Sequence, residues 1–360
     1  MTAACSQSCS QLRGLPDVPV LLEQVSSFVL ASTKGSGIGL AVCEQLLGIQ
    51  PTLTLCLACR NEERAKQAKV HLLSLYPAAV IDIVILDTSS INSVLEAAKS
   101  LREKYGHINY LYLNAGIMET GGVHWNKIFS EIFSKRCAYA LTTGEGLIVQ
   151  KNSLTKDGLM KVFATNVFGH YVLLKELETC LGFESKTNQG LASQVIWTSS
   201  SNAQEQNFSL EDIQHEKGDE PYSSSKYATD MLSFALNQTL NKKGIYSHST
   251  CPGLVVTNMT TGILPAWFWF LILPFILLMR LFIPSMTNSP AKGAKALVWL
   301  SQQRPETLDP ATKYLSQCTI TGKPYVATEK LKVKMDDSLN LLNQLEELRQ
   351  VSLNRHVDSR

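Results

Sequence analysis

Charged side chains are scarce in this chain of 360 residues, because Asp, Glu, Lys and Arg make up only 18% of it. An average soluble domain contains about 25% of these residues. The formal net charge is +2, so the chain lacks the basic excess that nucleic-acid binding requires, and we expect no nucleic-acid partner. Hydrophobic residues make up 45%, which excludes a disordered chain. We therefore expect a large core, a membrane contact, or both.

Metal-binding and secretory patterns are also lacking. The nine cysteines have no metal-ligand spacing, and we expect no metal site. Cys56 and Cys59 form a C-x-x-C pair within the apolar run 53–59, which favours core packing over redox chemistry. Residues 1–25 form a polar leader without the apolar stretch of a secretory signal.

Apolar runs alternate with amphipathic stretches of helical length along most of the chain. The runs predict strands at residues 28–30, 53–59, 80–86, 110–113, 194–198 and 246–250. Apolar strands separated by helices indicate a parallel sheet buried on both faces, in the doubly wound α/β architecture. We assign residues 26–329 to this domain and residues 330–360 to a helical C-terminal tail that packs on it.

Two segments interrupt the alternation. Residues 119–152 fit no regular element and predict an insertion over one rim of the sheet. Residues 259–283 are apolar and just long enough to cross a bilayer, although Pro265 and Pro274 would kink or break a helix. We favour membrane attachment, by a spanning helix or by a hairpin in the interface. The alternative is a pair of buried helices that covers a substrate.

A glycine-rich turn follows the first predicted strand and precedes a helix, the context of a dinucleotide-binding turn. Its backbone N–H groups would bind a pyrophosphate. Its residues are Ser32, Thr33, Lys34, Gly35, Ser36, Gly37, Ile38 and Gly39. Arg60 follows the second strand, where a cation favours the 2′-phosphate of NADP; the alternative is a solvated arginine at a helix start. Asp87 and Asn114 close the third and fourth strands and would meet the same crevice.

Tyr222 and Lys226 give the strongest chemical signal. Four residues apart, they lie on one helix face, where the ammonium would lower the pKa of the phenol. A tyrosine in this setting can donate a proton to a carbonyl as hydride arrives. Ser199 and Ser200 close the strand before them, and such a hydroxyl can bind the substrate oxygen.

These motifs occur in an order that resembles the short-chain dehydrogenase/reductase family over residues 28–300. They are Gly37-Ile38-Gly39, Asn114-Ala115-Gly116, Asn166, Ser199-Ser200, Tyr222-x-x-x-Lys226 and Cys251-Pro252-Gly253. The resemblance implies a Rossmann-like fold and NADPH as the cofactor. It implies that Tyr222 donates the proton, that Lys226 lowers its pKa and holds the nicotinamide ribose, and that Asn166 holds a relay water. It also implies that Ser200 binds the substrate oxygen and that Thr257 contacts the cofactor.

The chain departs from the family pattern at two points. The usual spacing from serine to tyrosine would select Ser209, but Ser200 closes an apolar strand and is favoured. Ser32 and Thr33 stand where the family turn begins with threonine and glycine, so Thr33 replaces the first glycine. This change weakens the assignment of the turn relative to that of Tyr222.

Further stretches resemble the steroid-ketone reductases of the family, among them Leu57-Ala58-Cys59-Arg60-Asn61 and Thr165-Asn166-Val167-Phe168-Gly169-His170. This implies NADPH-dependent reduction of 3-keto sterols in cholesterol synthesis and of estrone to estradiol, at the endoplasmic reticulum membrane. The implied partners are a steroid or sterol ketone and membrane lipid, with a homodimer left open. The alternatives are a reductase of another lipid carbonyl, such as retinal, and a non-catalytic interaction protein that retains the fold.

Overall fold

An eight-stranded sheet forms the centre of the molecule. The computed structural model describes residues 28–32, 37–124, 126, 145–184, 191–255 and 283–358. The strands of this sheet are β1 (Phe28–Ser32), β2 (Thr54–Cys59), β3 (Val80–Ile85), β4 (Tyr110–Leu113), β7 (Ser193–Thr198), β8 (Ile245–Cys251), β9 (Thr312–Cys318) and β10 (Pro324–Lys330). Their order is β10-β9-β8-β7-β4-β1-β2-β3, and the chain changes direction of winding between β1 and β4. Ligands bind at such a switch point in open α/β sheets.

The predicted parallel α/β sheet is confirmed, with one correction at its edge. All neighbouring pairs from β3 to β9 are parallel, whereas β10 runs antiparallel to β9. Neither β9 nor β10 was predicted. Lys313 and Ser316 interrupt the apolar character of β9, and β10 ends in Thr328-Glu329-Lys330. These two strands therefore lack the continuous apolar run of the central strands.

Helices cover both faces of the sheet. They are α1 (Ile38–Ile49), α2 (Glu62–Leu75), α3 (Ile91–Lys104), α4 (Lys161–Phe163), α5 (Gly169–Leu177), α6 (Pro221–Leu240), α7 (Pro290–Gly293), α8 (Lys295–Ser301) and α9 (Met335–Asp358), with a π-helical turn at Ala164–Phe168 between α4 and α5. Alternate residues of β4 enter opposite cores: Leu111 and Leu113 join one cluster, Tyr110 and Tyr112 the other. This alternation is the reason the central strands are apolar on both sides.

Local signals at the second and third helices are also confirmed. The Asn61 side chain accepts a 2.8 Å hydrogen bond from the Arg64 N–H, and Ser90 caps α3 through the Ser93 N–H. Cys56 and Cys59 are buried in the core, and burial raises the pKa of the Cys56 thiol to about 12. A thiol so far from ionising at neutral pH fits the predicted packing function.

The segment at 119–152 contains more regular structure than expected. β5 (Glu119–Val123) and β6 (Ile148–Lys151) pair in a separate antiparallel sheet, while residues 125 and 127–144 lie outside the described residues. Gly121 and Gly122 give β5 little strand propensity, which explains why the sequence did not predict it.

The other expected segments are described only in part. The leader 1–25 lies outside the described residues, as does the apolar segment 259–283 except for Ile283. Among the helices that the structure describes, none combines the length and apolar character needed to cross a bilayer. At the C-terminus, α9 packs against α6, and Leu341 and Leu345 enter the same core cluster as Leu232 and Leu236.

Candidate active site

The ends of β4 and β7 meet beside α6, where Lys226 reaches across to them. The Lys226 Nζ donates to the Thr198 carbonyl at 2.7 Å, and the Thr198 hydroxyl donates to Asn114 Oδ1 at 3.1 Å. Only 4% of Lys226 is exposed. A buried ammonium needs polar partners, so its position at the strand ends is closely defined.

Tyr222 and Lys226 share one face of α6, as their spacing predicts. The Lys226 Nζ lies 5.6 Å from the centroid of the Tyr222 ring. Burial nevertheless raises the pKa of Tyr222 to about 12, and hydrogen bonding by the Ser200 side chain opposes this only in part. The direction is therefore opposite to the expected lowering. Desolvation of the phenolate is the largest cause of the shift, and the Lys226 Nζ donates to the Thr198 main-chain carbonyl instead.

Ser200 rather than Ser209 is the serine that the structure brings to Tyr222. Ser200 follows β7, and its Oγ accepts a 3.1 Å hydrogen bond from the Asn202 N–H. Ser209 is exposed, and its Oγ accepts from the Glu211 N–H at 3.1 Å in a separate turn. The choice based on the strand before Ser200 therefore agrees with the geometry.

Asn166 lies in the π-helical turn, an irregularity that is frequent at functional sites. Its Oδ1 accepts from the Ile117 N–H at 2.7 Å, and its Nδ2 donates to the Ile117 carbonyl at 2.9 Å and to Ser225 Oγ at 3.0 Å. Asn166 thus clamps the chain after β4 against α6. A Cβ at Gly116 would lie 3.3 Å from Asn166 Oδ1 and 3.5 Å from Lys226 Nζ, so a larger residue would crowd both.

Sequence reasoning missed two residues that hold the start of α6. Gln150 Oε1 accepts a 3.0 Å hydrogen bond from the Tyr222 N–H, and a Glu220 carboxylate oxygen accepts from the Gly146 N–H at 2.9 Å. Gln150 also donates to Glu220. Gly146 and Gln150, just before and within β6, therefore hold the first turn of α6, the helix that carries Tyr222. A glutamate just before the helix start at Pro221 was the available signal.

Arg60 and Asp87, at the ends of β2 and β3, lie close together. Arg60 Nη1 is 3.9 Å from Asp87 Oδ2, and 69% of the Arg60 side chain is exposed. Asp87 Oδ1 accepts from the Ser89 N–H at 3.0 Å and from its hydroxyl at 2.7 Å. Asp87 is therefore oriented by its own turn, while the Arg60 guanidinium stays accessible to a ligand.

The start of α1 suits a phosphate group. Gly37 precedes the helix with φ at 73°, and Ile38 and Gly39 begin it. The first turn of α1 carries no acidic residue of its own that would compete with an anion for its N–H groups. Of the predicted turn, Ser32 ends β1, whereas Thr33, Lys34, Gly35 and Ser36 lie outside the described residues, as does Thr257.

The chain belongs to the short-chain dehydrogenase family, whose sequence model matches residues 28–266. The chain is also similar to the 3-keto-steroid reductase/17-beta-hydroxysteroid dehydrogenase 7 of rat, with 48% identity over 89% of this chain and 94% of that protein. Its identity to the human protein of the same name is 46%, over 89% of this chain and 92% of that one. Among solved structures, a short-chain dehydrogenase from Burkholderia cenocepacia in complex with NADP has a TM-score of 0.55. It is 17% identical and covers 83% of this chain and 97% of its own, which supports the fold.

Proposed function

We propose that this protein uses NADPH to reduce a steroid ketone to a hydroxyl, with 3-keto sterols of cholesterol synthesis and estrone as substrates. The similarity to the rat and human reductases along nearly their whole length supports the substrate class. The observation that carries the chemistry is the approach of Ser200 and Lys226 to Tyr222 at the strand ends. In this proposal Tyr222 is the proton donor and Ser200 the hydrogen-bond donor for one carbonyl oxygen, and their proximity supports it.

The proton comes from Tyr222. With a pKa near 12, its phenol keeps its proton at neutral pH and can donate it to the ketone oxygen. The Ser200 hydroxyl donates a hydrogen bond to the same oxygen and stabilises its developing charge. The Lys226 Nζ donates to the Thr198 carbonyl and lies 5.6 Å from the centroid of the Tyr222 ring, where a cationic group favours the phenolate left after transfer.

NADPH would supply the hydride. The exposed Arg60 guanidinium is placed to bind a 2′-phosphate, and the N-terminus of α1 to bind the pyrophosphate. Asp87 would accept from the adenine amino group, and Asn114 at the end of β4 would contribute to the same cofactor crevice. Lys226 would also hold the nicotinamide ribose, and Asn166 would support the proton relay.

We place the protein at the endoplasmic reticulum membrane. The apolar residues 259–283 support this location, since they could contact membrane lipid and receive a sterol from it.

The test follows NADPH oxidation by the full-length protein in detergent, with a 3-keto sterol, estrone and retinal as separate substrates. We expect turnover with both steroids, and about 10²- to 10⁴-fold less with Tyr222→Phe, because the proton donor is lost. Faster turnover of retinal would instead assign the site to another lipid carbonyl. A folded protein that binds no NADPH would favour a non-catalytic function, and Thr33→Gly would show whether the altered turn is the cause.

A further inference from the structure

A buried ion pair joins α6 to strand β9 of the sheet. Lys313, on β9, has its Nζ 2.6 Å from an Asp230 carboxylate oxygen, and the two side chains are only 8% and 6% exposed. The other Asp230 oxygen accepts from the Ser249 hydroxyl on β8. Burying two charges removes their favourable hydration free energy, and their mutual attraction often does not compensate for this loss. Stability alone is therefore a weak reason for this pair.

Lys313 has a second partner, at the candidate active site. Its Nζ donates to the main-chain carbonyl of Ser200 at 2.6 Å. Ser200 is the residue whose hydroxyl interacts with Tyr222. Asp230 follows Tyr222 by eight residues, about two turns along the same helix. The ion pair thus links Ser200 to the helix that carries Tyr222.

The corner at residues 199–202 depends on polar contacts. A cavity of about 540 Å³ borders it, with Ser200, Ser201, Asp230 and Lys313 among its lining residues. Side-chain packing from this direction is therefore limited. Three hydrogen bonds hold the corner. Lys313 donates to the Ser200 carbonyl, and Ser223 donates to the Asn202 carbonyl. Ser199 itself donates to the Lys226 carbonyl.

We propose that Lys313 and Asp230 are positioning residues for Ser200. Asp230 fixes the ammonium of Lys313, and the ammonium fixes the Ser200 main chain so that its hydroxyl stays beside Tyr222. Lys313 lies outside residues 28–266, the part of the chain that the family model matches. The proposal rests on the proposed function only for its kinetic consequence, because the constraint on the corner is a structural property.

The first test needs no substrate. Lys313→Met alone would leave Asp230 buried without its cation, so the main variant is Lys313→Met combined with Asp230→Leu, which removes both charges. Hydrogen exchange of amides 199–202 is followed by mass spectrometry. We expect exchange about tenfold faster or more in the double variant, because the corner has lost its tether. Asp230→Asn, which removes only the charge, should give a smaller effect.

Arg349→Met is the matched control. Arg349 on α9 is 18% exposed and pairs with Glu176 and Glu346, so its loss also breaks a partly buried ion-pair network. We expect it to lower thermal stability without changing exchange at residues 199–202. Unchanged exchange at this corner in both the double variant and Asp230→Asn would overturn the proposal.

The second test is a kinetic cycle with Ser200→Ala. In the otherwise unchanged protein, the double variant should lower kcat about tenfold with little change in the Kd for NADPH, because the substrate oxygen loses an aligned donor. In the Ser200→Ala background the same change should leave kcat almost unchanged, since the hydroxyl to be positioned is already absent. An equal loss in both backgrounds would show that the ion pair acts independently of Ser200 and would overturn the proposal. If the unchanged protein reduces no steroid, the proposed function fails while hydrogen exchange still decides the positioning.

Discussion

The two ends of the candidate site are built differently. Around α6, Lys226, Asn166 and Ser225 are buried, and hydrogen bonds join them to the strand ends and to each other. Around the ends of β2 and β3, Arg60 is mostly exposed and its contact to Asp87 is 3.9 Å long. The difference fits two tasks. Proton transfer needs groups fixed before the substrate arrives, whereas an exposed cation can adjust to a phosphate when it binds.

We call the buried part of the site around α6 the fixed end, and the part around Arg60 the exposed end. The largest expected effect tests which serine belongs to the fixed end. Ser200→Ala should lower kcat about 10²- to 10³-fold, because a donor to the developing charge is lost. Ser209→Ala is the matched control, since Ser209 is exposed and its hydroxyl accepts a hydrogen bond from the Glu211 N–H in its own turn. We expect its kcat within about twofold of the unchanged protein, as for a surface substitution. Steady-state kinetics with a 3-keto sterol measure both, and a larger loss in Ser209→Ala would reverse the assignment.

The second prediction breaks the clamp at the fixed end. Asn166→Ala removes three hydrogen bonds and leaves the Ile117 main-chain groups without them. We expect the free energy of unfolding to fall by about 2–3 kcal/mol, as for buried polar groups that lose their partners. The same loosening should lower kcat about tenfold or more, because Gly116 and Ile117 lie against Lys226 and Asn166.

Urea unfolding and kinetics measure these two effects. Asn92→Ala is the control, because Asn92 is partly exposed on α3 and, within the described residues, its side chain donates to Glu96. It should leave both quantities nearly unchanged. Equal stability of the two variants would remove the distinction between the fixed and the exposed end.

A smaller effect is expected at the exposed end. Arg60→Ala should raise the KM for NADPH about tenfold and that for NADH much less, because a charge-assisted contact to the 2′-phosphate is lost. Arg64→Ala, in the first turn of α2 and also exposed, should leave both KM values unchanged. If Arg60→Ala changed kcat rather than the KM for NADPH, the exposed end would be part of the catalytic machinery.

The smallest effect is an expected absence of change. Since the pKa of Tyr222 is about 12 without cofactor, this residue should contribute no phenolate absorbance up to about pH 10. The measurement is the ultraviolet titration of the cofactor-free protein minus that of Tyr222→Phe. A phenolate that appears near pH 8 would mean that Lys226 outweighs burial, as the Tyr-x-x-x-Lys spacing alone suggests.

Short-range patterns predicted most of the sheet and the identity of the candidate residues. The apolar runs of β2 and β4, and the caps Asn61 and Ser90, depend on neighbours in sequence and were predicted correctly. β9 was missed because Lys313 breaks its apolar pattern, and that lysine is buried with Asp230 of α6 and the Ser200 carbonyl as its partners. Asp230 has Lys226, Tyr227, Ser233 and Phe234 at helical spacing, and this mixed face gave no signal in the sequence that the carboxylate is buried.

The sequence alone determined the parallel α/β class, the pairing of Tyr222 with Lys226 on one helix, and the choice of Ser200, because each depends on the period of a helix or the end of a strand. Only the tertiary structure decided that burial raises the pKa of Tyr222, that Gln150 and Glu220 hold the start of α6, and that Lys313 reaches Ser200. Those properties arise from desolvation and from contacts between residues far apart in the chain, and neither is encoded in local spacing.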